Sequence, residues 1–89
     1  DIYFQQNQHS QALAYYEQSL AIRQKLRDEA GIAVSIKNIG LVYYDQNDYA
    51  LALLNFFKSL EIDNRLGNNA NVATTYNNIA NTYIKTERL

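Results

Sequence analysis

The sequence predicts an all-α protein, a right-handed solenoid of antiparallel helix hairpins. Three observations carry that expectation. The chain repeats itself at an offset of 40 residues: Tyr3, Tyr43 and Tyr83 superpose, as do Gln6-Asn7 on Gln46-Asn47, Ala12-Leu13 on Ala52-Leu53 and Ser19-Leu20 on Ser59-Leu60. Leu26, Ala30, Ala33, Asn38 and Ile39 likewise meet Leu66, Ala70, Ala73, Asn78 and Ile79, without a gap. A period of this length marks one supersecondary unit stacked on copies of itself. Apolar residues recur every three and four positions, the helical period, and nowhere in sustained two-residue alternation. Finally, proline is absent and glycine occurs only three times, so little interrupts a helix.

The elements follow in order. Asp1–Gln6 reads as the last turn of a helix. A helix is expected over Ser10–Arg27, with Leu13, Tyr16, Leu20 and Leu26 on its inner face. Asp28 is placed to cap the next helix, its carboxylate accepting from free backbone amides. That helix spans Glu29–Gln46 and turns Ala33, Ile36, Ile39, Gly40 and Tyr43 inward. Asn47 stands at the following turn, because asparagine tolerates the left-handed backbone that ends helices. Asp48 caps a third helix, Tyr49–Leu66, with Ala52, Leu53, Phe56 and Leu60 inside. Gly67-Asn68-Asn69 makes the next turn, with Asn68 in the place of Asp28, and a fourth helix runs Ala70–Thr86. Short connections make neighbouring helices antiparallel. The chain thus divides into a partial first repeat (1–27), a complete repeat (28–67) and the first helix of a further repeat (68–89). It reads as a cut from a longer array, with part of the Ile79/Ala80/Tyr83 face lacking a stacking partner.

Composition narrows the function. Hydrophobic residues make up 47% of the 89, enough for a packed core. The 8 basic and 9 acidic residues are scattered and give a net charge of −1. No basic patch supplies the phosphate-neutralising term of nucleic-acid binding, so a nucleic-acid partner is not expected. No apolar run approaches a membrane span, and no membrane partner is expected. Cysteine is absent, which removes disulfides and thiolate metal sites and fits a reducing compartment; a cytoplasmic location is the expectation. No glycine-rich phosphate loop and no His/Asp/Glu cluster is visible, so neither metal nor other cofactor is expected. His9 is the only histidine and has no orienting acid, which suits a structural ring better than catalysis. The chain is not expected to be an enzyme.

The repeated pattern is Ile36-x-x-Ile39-Gly40-x-x-Tyr43 followed by Ala52-x-x-x-Phe56. It returns as Tyr76-x-x-Ile79-Ala80-x-x-Tyr83, and Tyr3 followed by Ala12-x-x-x-Tyr16 precedes it. Small residues let helices approach, and large ones fill the space beside them. This resembles the tetratricopeptide repeat family over the whole chain. The run Tyr43-Tyr44-Asp45-Gln46-Asn47-Asp48-Tyr49, with Ser59-Leu60-Glu61-Ile62, is similar to the longer repeats of kinesin light chains, of scaffolds that bind GoLoco peptides and of bacterial sensor and regulatory proteins. The proline usual at the repeat end and the Trp option are both absent, which bears on the angle between hairpins. The resemblance implies a non-catalytic protein–protein interaction module within a larger signalling or scaffold protein. The first helix of each pair then lines a concave groove for a peptide or partner helix.

Two surfaces are candidates. With Ile36, Ile39, Gly40 and Tyr43 inward, helical geometry turns Val34, Lys37, Asn38, Leu41 and Asp45 to one other face. The next repeat presents Thr74, Asn77, Asn78, Asn81 and Lys85 there. The resemblance implies that asparagines on this face bond the backbone of an extended ligand, at Asn38 and Asn78, with Asn81 one turn beyond. An amide both donates and accepts, so it pairs with a peptide group of any sequence. The competing reading has Asn38 and Asn78 bonding each other or nearby carbonyls. A carboxylate clamp fits poorly: Lys37 and Asn78 suit it, but Val34 and Leu41 interrupt the pattern. The second surface is Leu51, Leu54 and Phe57, which oppose the Ala52/Leu53/Phe56/Leu60 face on the same helix. A helix apolar all round is normally covered, so this convex patch is a candidate contact. The alternative function is therefore a structural spacer or self-association module. Association is expected through this patch or through the open ends of the array.

Overall fold

Four helices account for the fold: α1 (Ile2–Lys25), α2 (Glu29–Asp45), α3 (Tyr49–Leu66) and α4 (Asn69–Glu87). The structure, a computed structural model, describes residues 2–87, and side chains from residue 6 onward. No strand occurs among the described residues. The side chain of Tyr3, the first member of the repeated tyrosine position, lies outside them.

Local chemistry sets most boundaries. The Asp28 carboxylate accepts from the Gly31 amide at 3.0 Å and opens α2. The Asp48 carboxylate accepts from the Leu51 amide at 3.3 Å and opens α3. Each connection holds one left-handed residue: Arg27, Asn47 and Gly67, with φ of 54°, 66° and 74°. Asn47 and Gly67 suit that backbone, whereas Arg27 adopts it against the usual preference of a residue carrying a Cβ.

One boundary differs from expectation. No break separates residues 2–6 from residue 10 onward; α1 is continuous from Ile2 to Lys25. Asn7 matches Asn47, but Gln8 stands where Asp48 caps α3, and glutamine is not a capping residue. Without a cap to start a new helix, the backbone keeps its helical bonds. Leu26 also departs from the expected inner face. With α1 ending at Lys25, Leu26 falls in the turn and is 72% exposed.

The core sits where α2, α3 and α4 meet. Ala52, Phe56, Leu60 and Ile79 form a buried cluster, with Leu41, Tyr43, Tyr44, Leu53 and Val72 packed on it. α2 also packs on α1, so successive helices are neighbours and α4 touches α2 as well as α3. Ala33, Ile39 and Gly40 are buried as expected, while Ile36 and Tyr43 are half-buried. Buried polar side chains add to these contacts, among them Ser59, one of the small residues expected where helices approach. Ser59 is fully buried and donates to the Ala33 carbonyl at 2.9 Å, tying α3 to α2. Thr82 donates to the Asn78 carbonyl at 2.7 Å within α4. Among the described residues the buried Thr75 hydroxyl has no hydrogen-bond partner.

The two hairpin ends show one exchange of roles. Arg23 pairs with Asp28 at 2.7 Å across the α1–α2 turn. Forty residues on, Asn68 donates to the buried Asp63 at 3.3 Å across the α3–α4 turn. Position 23 is a donor and position 63 an acceptor, and the partners exchange to match. Gly31 makes room for the first pair, since a Cβ there would collide with the Arg23 guanidinium and the Asp28 carboxylate.

Candidate functional site

The first candidate surface lies on α2 and α4. Leu41, Asn78 and Asn81 gather round a small depression of about 60 Å³, together with Tyr44 and Phe56. Its room is that of one small side chain. Phe56, fully buried in a cluster with Ile79 of α4, forms part of the lining because Gly40 lets α3 come close. Tyr44 is held by an edge-to-face contact with Tyr49, ring centres 5.8 Å apart. Sequence reasoning did not assign Tyr44 to the site. Its three-residue spacing from Leu41 on α2 was the available signal.

The remaining residues of this surface do not line the depression. Lys37 and Asn38 are half-buried on α2, while Val34 and Asp45 are exposed at either end of their stripe. On α4, Thr74, Asn77 and Lys85 are exposed. Leu41 is shared between the depression and the core. Among the described residues the Asn38 and Asn78 side chains make no hydrogen bond to each other or to a neighbouring carbonyl. Thr74 bonds back to the Ala70 carbonyl at 3.1 Å, which occupies its hydroxyl within its own helix.

The second surface lies on α3. Leu51, Leu54 and Phe57 are 38%, 50% and 45% exposed, and Leu66 near the end of the same helix is 39% exposed. His9 is half-buried within α1. Among the described residues no three His, Asp or Glu side chains gather as a metal-holding group. No helix among them is long and apolar enough to cross a membrane.

One titratable group away from both surfaces is perturbed. The Gly31 amide holds the Asp28 carboxyl below its ordinary pKa; partial desolvation pushes the other way, and the Arg23 guanidinium adds to the lowering. This is a capping interaction between α1 and α2, so it bears on the fold more than on the site.

The same architecture occurs in a designed protein, DA05, solved by solution NMR. The TM-score is 0.83 at 15% sequence identity, over 89% of this chain and 79% of that one. At that identity the likeness speaks for the fold alone. No curated protein matches the sequence. The family model for the tetratricopeptide repeat matches residues 1–65 and again residues 32–89, which together span the chain. The chain belongs to the tetratricopeptide repeat family, whose repeats are in general non-catalytic modules of protein interaction.

Proposed function

We propose that the chain holds an extended peptide or a partner helix against the face of α2 and α4 that carries Asn38, Asn78 and Asn81, as one part of a larger signalling or scaffold protein. The observation that carries this reading is the depression at Leu41, Tyr44, Phe56, Asn78 and Asn81. It offers a small apolar seat with two amides at its rim. A side chain of a ligand would enter the seat, and the amides would pair with its backbone. Few charges flank the seat, so affinity would come from burial and neutral hydrogen bonds. In this reading the repeats are of the longer variety, matched by the 40-residue offset. Residues 1–27, 28–67 and 68–89 then contribute a partial repeat, a complete one and the first helix of another.

Selection of displayed random peptides on the chain tests the reading. Recovered peptides should lose affinity for an Asn38→Ala/Asn78→Ala double variant and for Leu41→Lys. Peptides that bind these variants as well as the parent chain would place the site elsewhere. The exposure of Leu51, Leu54 and Phe57 favours one second reading, a spacer or self-association module in contact through α3. Self-association of the chain in light scattering, abolished by Leu54→Glu with Phe57→Glu and retained in the asparagine variants, would select it.

A further inference from the structure

The depression between α2 and α4 owes its shape to side chains that the core holds still. Phe56 forms one wall and is fully buried. A Cβ at Gly40 would stand 2.8 Å from its ring, so close packing fixes that ring. Leu41 and Tyr44 also pack on the cluster of Ala52, Phe56, Leu60 and Ile79. Tyr44 is held a second time. The Tyr49 ring meets it edge-on, centres 5.8 Å apart and planes at 69°, and the Tyr49 hydroxyl donates to the Asn47 side-chain oxygen at 2.9 Å. Asn47 sits in the left-handed turn at φ 66° and donates its amide to the Tyr44 carbonyl at 3.0 Å. Asn47 and Tyr49 thus brace Tyr44 from the α2–α3 turn.

Resting on the peptide-holding reading above, we infer that this seat selects its ligand by the size of one side chain. It takes a small, uncharged aliphatic group, from alanine to valine in size, and Tyr44 sets the limit. Volume decides the size. A cavity of about 150 Å³ takes a benzene ring, whereas the seat has about 60 Å³. An aromatic side chain therefore stays mostly outside it. The lining decides the chemistry. Leu41, Phe56 and the Tyr44 ring carry no charge, and Asn78 and Asn81 add only neutral amides. A carboxylate or ammonium entering there loses water and gains no opposite charge. A methyl or isopropyl group covers apolar surface without that cost.

Comparison within the chain separates the size limit from the shared framework. At the 40-residue offset Phe56 is matched by another aromatic, Tyr16, and Asn78 by Asn38. Leu41 is matched by Asn81 and Tyr44 by Ile84, so these two walls are not part of the repeated pattern. The size of the seat is thus particular to this pair of helices. Tyr44 is the specificity-determining residue, and Tyr49 is a positioning residue that acts through it.

A displayed random-peptide library provides the test. The strongest recovered sequence is synthesised with Ala, Val, Leu, Phe and Asp at each position in turn, and isothermal titration reads the affinities. One position should prefer Val or Ala over Phe and Asp by about tenfold, the worth of one or two buried methyl groups. Tyr44→Ala should reverse that order in favour of Leu or Phe. Leu41→Ala, read in the same way, replaces it if circular dichroism shows that Tyr44→Ala has lost helicity. Tyr49→Ala should flatten the order, and Tyr49→Phe, which keeps the ring contact, should restore it. A loss of stability alone weakens all the peptides alike and leaves their order unchanged. Peptides that lose affinity for Asn38→Ala/Asn78→Ala, yet show no position selective for size or an order unmoved by Tyr44→Ala, would overturn the size-selective seat and leave the groove reading standing. A library that yields no binder, or peptides indifferent to the asparagine variants, would overturn both.

Discussion

Gly40 on α2 lies so close to Phe56 on α3 that a Cβ at Gly40 would stand 2.8 Å from Phe56 Cε1 and 2.9 Å from Cδ1. Phe56 is fully buried and cannot swing aside. This approach brings the two helices of the central hairpin together and places the Phe56 ring at the depression between α2 and α4. Gly40→Leu should therefore destabilise the chain by about 1–3 kcal/mol through overpacking, measured as a lower urea midpoint. An unchanged midpoint would mean that the helices separate there without cost.

The buried Thr75 hydroxyl has no hydrogen-bond partner among the described residues. An unsatisfied buried polar group costs about 1–3 kcal/mol, whereas an apolar group of the same shape avoids that cost. Thr75→Val should leave stability unchanged or raise it by up to about 1 kcal/mol, on the same denaturation assay. A clear loss would show that the hydroxyl is satisfied in solution.

Asp28 gives the fold a pH dependence with a defined sign. Its folded pKa is lowered, by the Gly31 amide first and by Arg23 as well. A lowered folded value means that the contribution is complete above the unfolded value and is lost as pH falls through the folded one. The urea midpoint should carry this contribution at neutral pH and lose it below about pH 4. Asp28→Asn keeps a capping side chain but removes the charge, so it should flatten that part of the pH profile. A profile unaltered by Asp28→Asn would assign the acid sensitivity to other carboxylates.

For a peptide ligand selected as described, Asn78→Ala should weaken binding by about 0.5–1.5 kcal/mol, the net worth of a neutral hydrogen bond. Isothermal titration measures it. An unchanged affinity for both Asn78→Ala and the double variant with Asn38→Ala would remove the amides from the binding face.

The elements legible in the sequence are those whose signals are local. Asp28 and Asp48 accept from amides three residues on, Asn47 adopts the left-handed backbone expected of it, and Gly67 does the same in the next turn. Such caps and turns depend on a few neighbouring residues, so α2 ends within one residue of its expected limit and α3 matches its limits fully. The inward residues Ala52, Phe56 and Leu60 follow from the helical period alone. The same local logic explains the miss at Asn7: its identity matches Asn47, but the cap that would restart a helix is absent at Gln8, and α1 runs on.

Sequence by itself determined that this chain is a helical repeat, which residues face inward on α2 and α3, and which family it resembles, because periodicity and capping are written in the order of residues. Tertiary structure alone decided how residues far apart in sequence meet. It brought Tyr44 beside Asn78 and Asn81 and set the Ser59 hydroxyl on the Ala33 carbonyl 26 residues away. Equivalent residues in a repeat share a helix face, but their burial depends on whether another helix lies across that face. That is a property of packing, and identical letters at an offset of 40 residues do not contain it.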